Sequence, residues 1–332
     1  MSTTLMEQEA KQTPQVIEQQ LVKNQAIAKS IAEKLNALEP TNVMIIGRGS
    51  SDHAGVFGKY LIEIEAGIPV SSAAPSVSSV YNKQLKLNKS FVIVISQSGR
   101  SPDILAQAQM AKDAGAYCVA LVNDESSPLG EIVDDVMPLS AGAEISVAAT
   151  KSYLATLSAL LQLTAYWTNN QTLIGALDTL PNALQNMIDS SPQLTPESIE
   201  NVKNLVVLGR GLGFAVSKEM ALKLKEVASI HAESFSSAEF LHGPVTLVEQ
   251  GLAIVNCQVD DESLLSHQEQ ITEVKHRGAD IVDIKQLDDK VHPRIAPLVV
   301  LQRFYLDVAS VAVYRGFNPD EPKGLKKVTR TL

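Results

Sequence analysis

The chain has 332 residues, 45% of them hydrophobic and 20% charged, a composition that fits a globular protein of about two ordinary domains. A net charge of −9 argues against nucleic acid or an anionic membrane as the main partner, because either would repel such a surface. Cys118 and Cys257 lie in apolar runs and are too few for a disulfide framework, so both are expected in the core of a cytoplasmic protein.

The opening MSTTLMEQEAKQT has no apolar core or cleavage pattern, so no signal peptide is expected. Residues 5–38 are rich in Gln, Glu, Lys and Ala and lack Gly. They predict a helix starting near Thr13-Pro14, with Thr13 as N-cap and Pro14 at the first helical position, and ending at Glu39-Pro40. A strand at 43–46 runs into Gly47-Arg48-Gly49-Ser50-Ser51 and a helix at 52–66. Further strands are expected at 91–95, 117–122 and 135–139, with helices at 102–114 and 149–167. The strands are short continuous apolar runs such as Phe91 to Ile95, the pattern of strands covered by helices on both faces. The longest apolar stretch, Tyr153 to Trp167, is broken by Thr and Ser and is too short to span a bilayer.

The chain also repeats itself. Asn42 to Gly49 (NVMIIGRG) recurs as Asn204 to Gly211 (NLVVLGRG), an offset of 162. The same offset relates Ala66-Gly67-Ile68 to Ala228-Ser229-Ile230, and Gly115-Ala116 matches Gly278-Ala279 at 163. One α/β unit is used twice. The expected organisation is an N-terminal helical segment (1–40), a first doubly wound parallel-sheet domain (41–168), a helical connector (169–200) and a second domain with a tail (201–332).

Ligands of open α/β sheets bind beyond the carboxyl ends of the strands. Ser96-Gln97-Ser98-Gly99-Arg100-Ser101 stands there, and Ser101-Pro102-Asp103 reads as the start of a helix. Backbone N–H groups, the positive helix end, three hydroxyls and an amide make an anion site, with Gly99 permitting close backbone approach. A capped turn without ligand is the plainer alternative. The second copy has Gln258-Val259-Asp260-Asp261-Glu262 instead, whose carboxylates would repel a phosphate. Only the first copy keeps the anion loop.

The second copy carries other chemistry. Glu219, Lys223 and Glu226 are spaced four and three apart and share one helix face. As a pair alone, Glu219 and Lys223 read as a solvated, salt-bridged surface. Glu226 stands beside a His-bearing loop, His231 to Pro244, where a carboxylate could act as a general base. His242 before Gly243-Pro244 reads on its own as a turn residue. No His/Cys/carboxylate group has metal-ligand spacing, so neither a metal nor an organic cofactor is expected.

The ordered set of motifs resembles the SIS (sugar isomerase) family, in the tandem form found in the isomerase half of glucosamine-6-phosphate synthases. It comprises Met6 to Glu9, Gln12-Thr13-Pro14, Gly49-Ser50-Ser51, Ser96 to Gly99, Glu144 to Lys151, Ala221 to Glu226, Ile230 to Glu233, His242-Gly243-Pro244 and Pro322 to Thr329. The resemblance implies two flavodoxin-like domains and a small phosphorylated amino sugar as substrate. It implies that Ser51, Ser96, Gln97, Ser98 and Ser101 bind the sugar phosphate, and that Val147 and Ala148 lie along the sugar through their backbone. Glu226 would move a proton between C2 and C1, with Glu219 and Lys223 supporting the site. His242 would assist ring opening from the neighbouring subunit of a homodimer, and Lys327 would be the tail lysine able to form an imine.

Three departures accompany the match: Ala149 stands where the synthases have Ser, Arg100-Ser101 replaces Glu-Thr, and the tail from Lys326 differs. The chain has no room for the synthases' glutaminase domain. The expected reaction is therefore ammonia release, as in an SIS-type glucosamine-6-phosphate deaminase. A fructosamine-6-phosphate deglycase and a non-catalytic sugar-phosphate-binding module are the alternatives.

Overall fold

The computed structural model describes residues 3–288 and 290–327. A short helix, α1 (Leu5–Lys11), comes first, capped by Thr4, whose hydroxyl accepts from Glu7 N. The sequence did not announce α1, which is too short to show a period and too short to be stable alone. The expected helix follows as α2 (Thr13–Leu38). The chain divides into two compact units. Among the described residues, one holds 15–143, 151–178 and 326–327; the other holds 3–14, 144–150, 179–288 and 290–325.

The first of these units continues through β1 (Asn42–Ile46), α3 (Ser50–Ala66), β2 (Val70–Ser72), α4 (Ser76–Ser79) and β3 (Ser90–Ser96). It goes on with α5 (Pro102–Asp113), β4 (Tyr117–Val122), α6 (Pro128–Ile132), β5 (Asp135–Pro138) and α7 (Lys151–Trp167). Its sheet is parallel throughout, in the order β2-β1-β3-β4-β5, so the winding direction reverses between β1 and β3. Every residue of β3 is buried, and Phe91 stacks on Tyr117 and meets Trp167 edge-on, both with centroids 5.8 Å apart. β2 escaped the sequence reading because two of its three residues are exposed serines, leaving no apolar run.

Helix α8 (Gln171–Asp189) carries the chain onward to β6 (Asn204–Gly209), α9 (Leu212–Ala228), β7 (His231–Ser236) and α10 (Ser237–Phe240). Then come β8 (Ala253–Gln258), α11 (Leu264–His276), β9 (Asp280–Lys285) and α12 (Ala296–Tyr314). The second sheet is parallel in the order β7-β6-β8-β9, with its reversal between β6 and β8. The segment expected as a His-bearing loop is in part the edge strand β7. Only Ala232 of its six residues is buried, so it lacks the apolar pattern of a strand. The duplication reaches individual dihedrals: Gly49 has φ 56°, ψ −127° and Gly211 has φ 53°, ψ −126°. The most apolar helix is α12 rather than the stretch 153–167. It is long and apolar enough to cross a membrane by length and composition, yet 89% of that apolar window is buried inside the fold.

A buried polar chain runs through the second sheet. Asn256 Nδ2 donates to Asp283 Oδ1 (2.8 Å), which turns the Asn256 carbonyl oxygen toward His267 Nε2 at 2.7 Å. Nδ1 lies 2.9 Å from Ser237 Oγ, whose hydroxyl donates to Gln270 Oε1. His267 is 1% exposed, and burial followed by the Arg210 charge, against the pull of Asp283, lowers its pKa from 6.5 to about 4. The unfolded chain therefore binds this proton first as pH falls. The stabilisation is complete above pH 6.5 and is lost between 6.5 and 4, by about 3 kcal/mol. Denaturant titrations across that window should show the loss, and in His267→Gln that part of the slope should vanish. An unchanged slope would refute the assignment.

Candidate active site

The reversal point of the first sheet assembles the candidate anion loop. β1 runs into Gly47, where a Cβ would lie 2.7 Å from the Ser51 carbonyl carbon, so α3 starts tight against the strand and places Ser51 in its first turn. Across the crevice, β3 ends at Ser96, which is 6% exposed and whose Oγ accepts from Gly99 N at 3.1 Å. Gln97 is fixed through its carbonyl, which accepts from Asn123 N at 3.1 Å. Ser98 Oγ lies 3.4 Å from Arg100 N. Gly99 is left-handed at φ 62°, and a Cβ there would run into the Ser127 side chain and Val122. Only glycine fits both demands.

Ser101 is the N-cap of α5 with Pro102 behind it, but its hydroxyl makes no capping bond, so the head of α5 is left to another acceptor. Asp103 is 3% exposed, and its Oδ2 accepts from Arg48 Nε at 2.9 Å, which offsets the one acidic charge in that turn. Arg100 is paired through two nitrogens with Asp124 Oδ2, at 3.1 and 2.8 Å. Ser127 went unnoticed in the sequence. Its Oγ is buried against the loop without a hydrogen-bond partner among the described residues. Its place before Pro128, like that of Ser101 before Pro102, was the available signal. Lys327, half-buried, belongs to this same unit, whereas Lys326 is exposed.

At the matching place in the second copy, just before α11, the chain carries its own carboxylates, and the helix again has no side-chain cap. Asp261 Oδ1 accepts from Ser263 N (2.8 Å) and from Ser263 Oγ. Burial raises the Asp261 pKa despite those bonds. Glu262 is clasped by Arg294 through two hydrogen bonds of 2.7 and 2.8 Å, and that bond, against partial burial, lowers its carboxyl to about 2. Each carboxylate thus has its own partner, Asp261 in Ser263 and the exposed Glu262 in Arg294.

Helix α9 carries the candidate acid–base residues. It packs along α12, so Glu219 (0% exposed) and Lys223 (1%) are interior rather than the solvated face their spacing suggested. Lys223 Nζ lies 3.0 Å from Glu219 Oε1 and 2.7 Å from Glu226 Oε2. Burial alone would lower the Lys223 pKa, but the two carboxylates outweigh it and hold the ammonium well above its ordinary value. Tyr305 on α12 directs its hydroxyl to Glu219 Oε1 at 3.4 Å. The Glu226 side chain is 22% exposed, and its Oε1 has no partner among the described residues. One oxygen is anchored and the other is open.

In the same unit, the extended segment 144–150 holds Val147 half-buried and Ala148 buried. Val147 N donates to the Asp320 carbonyl at 2.9 Å, so the backbone group it can offer a ligand is its C=O. His242 sits exposed in the turn after α10. The structure thus groups Ser51, Ser96, Gln97, Ser98, Ser101 and Lys327 in one unit, and Val147, Ala148, Glu219, Lys223, Glu226 and His242 in the other. Among the described residues no group of His, Cys, Asp and Glu is arranged to hold a metal. Burial pushes the Cys118 thiol up to about 12 and raises that of Cys257, which makes both poor nucleophiles.

The sequence profile of the SIS domain matches residues 38–166 and 198–292. The chain belongs to the SIS domain family. This SIS protein is 34% identical over 308 residues to a Bacillus subtilis glutamine–fructose-6-phosphate aminotransferase (isomerizing), covering 87% of this chain and 51% of that protein. The chain thus spans about half the length of the curated relatives it matches. Among solved structures, a Silicibacter pomeroyi protein assigned as a phosphosugar isomerase has 36% identity and a TM-score of 0.90, over 96% of this chain and 100% of that one. A glucosamine-6-phosphate deaminase of Thermotoga maritima has 21% identity and a TM-score of 0.72, over 95% and 100%, and shares the fold.

The buried charges of this SIS protein give a direct test. Lys223→Met keeps the volume but removes the ammonium between two carboxylates, and should cost about 3–5 kcal/mol in urea unfolding. Adding Glu219→Gln should recover part of that loss. A single variant as stable as wild type would show that the pair carries little.

Proposed function

We propose that this SIS protein is an isomerising glucosamine-6-phosphate deaminase, which takes glucosamine 6-phosphate and water to fructose 6-phosphate and ammonia. The observation that carries the reading is Glu226, a half-buried carboxylate with Oε2 fixed by the Lys223 ammonium and Oε1 open. A base held on one side and open on the other is suited to moving a proton between adjacent carbons. The loop at Ser96 to Ser101 offers hydroxyls and an uncapped helix head for the phosphate, so binding energy remote from the reacting carbons can position them.

The steps balance without a cofactor. His242, contributed by the second subunit of a homodimer, assists opening of the sugar ring to the aldehyde. Glu226 removes the C2 proton while O1 takes up a proton, which gives an enolamine. Return of the proton to C1 makes a ketimine at C2. Water adds to that carbon, and ammonia leaves as the ketone forms. Lys327 could alternatively displace ammonia first, forming its own imine, which water then hydrolyses. Val147 and Ala148 lie along the sugar chain.

The test is purified protein with glucosamine 6-phosphate, following ammonium and fructose 6-phosphate, which should appear in equal amounts. Glu226→Gln should lower turnover at least a hundredfold and abolish C2 proton exchange, with phosphate affinity unchanged. Turnover of a fructosamine 6-phosphate without ammonium release from the aminosugar would favour a deglycase. Tight binding without turnover would favour a binding module.

A further inference from the structure

Helix α1 has no part in the chemistry above, yet it carries a carboxylate that is 5% exposed. Glu9 accepts from the backbone N–H of Ile145, and its Oε2 accepts from Ser146 N at 3.2 Å. No cation among the described residues pairs with it. A buried carboxylate satisfied only by main-chain donors is costly to keep and rigidly directional, since it needs both N–H groups in place. The two donors directly precede Val147 and Ala148.

The same short segment is gripped from its other side. Val147 N donates to the carbonyl of Asp320, and Ser146 Oγ lies 3.5 Å from the carbonyl of Pro319. The Asp320 carboxylate in turn accepts from Leu5 N (2.9 Å) and Met6 N (2.8 Å) at the head of α1. A closed circuit results: α1 holds residues 145–146 through Glu9, residue 147 holds the 319–320 turn, and that turn holds the start of α1. All of these residues lie within one compact unit. Residues 145–148 have no regular secondary structure of their own, so this circuit is what defines their backbone.

We infer that Glu9 is a positioning residue for the sugar portion of the substrate: it fixes the backbone at 145–146 so that the Val147 carbonyl and Ala148 are presented to the sugar carbons. The inference rests on the reading that this segment runs along the sugar. It separates sugar recognition from phosphate recognition, because the loop at Ser96 to Ser101 belongs to the other unit. Glu9→Gln preserves shape but sets an amide NH₂ against a backbone N–H.

The experiment compares wild type and Glu9→Gln in full-length protein by three readouts: calorimetric affinity for fructose 6-phosphate, affinity for inorganic phosphate, and amide hydrogen exchange at Ile145 and Ser146. Expected are at least a tenfold loss of fructose 6-phosphate affinity, phosphate affinity within twofold of wild type, and exchange at least tenfold faster at the two amides. Glu9→Asp, which keeps the carboxylate on a shorter stem, gives the same directions if the amide variant does not fold. Sugar-phosphate and phosphate affinities falling together, or neither changing, would overturn the inference. So would a wild type that binds phosphate but not fructose 6-phosphate. A wild type that binds fructose 6-phosphate and releases no ammonium from the aminosugar would overturn the deaminase reading alone, and Glu9 would still be judged on binding.

Discussion

A buried ammonium between two carboxylates organises helix α9 and its packing against α12. Lys223 cannot sit inside the fold unless Glu219 and Glu226 flank it, and Glu219 cannot sit at zero exposure without a nearby positive charge. The helical spacing of four and three brings all three to one face of α9, and α12 covers that face. What emerges is orientation. Glu226 is anchored through one oxygen by a group that is itself immobile, so its second oxygen has a fixed direction. A free surface carboxylate would sample many rotamers and lack that definition.

Duplication then explains how one architecture carries two different sets of side chains. Both sheets reverse their winding direction after the first strand of the unit, and both turns there use the same glycine conformation. In the first copy the crevice presents serines and a helix head without a side-chain cap. In the second copy the corresponding helix head is also without a side-chain cap, but Asp261 bonds Ser263 just before it and Arg294 pairs with Glu262. Carboxylates thus stand in the second copy where the first presents hydroxyls.

Much of this was legible in the sequence because it is local. Ser96 to Pro102 combines a strand end, a turn glycine and a helix start in seven residues, and Glu219, Lys223 and Glu226 declare their common face by spacing. The strands with continuous apolar runs were equally plain. β2 and β7 were not, since they are edge strands with one buried residue each, formed because β1 and β6 offer unpaired edges. The burial of Glu219 and Lys223 was hidden for another reason: it depends on α12, some eighty residues away, and a Glu–Lys pair at four-residue spacing is far commoner on surfaces. The contacts of Glu9 and Asp320 were invisible because their partners are backbone groups brought near by the fold, and Ser127 because only the fold sets it against Gly99.

The central claim is that a proton leaves C2 of an amino sugar phosphate through Glu226. Glucosamine 6-phosphate deuterated at C2 tests it most directly, with the product examined by NMR. The expected product is fructose 6-phosphate, with the deuterium at C1 or lost to water, formed together with one ammonium per molecule. An aldose product that keeps deuterium at C2, or no ammonium at all, would contradict it.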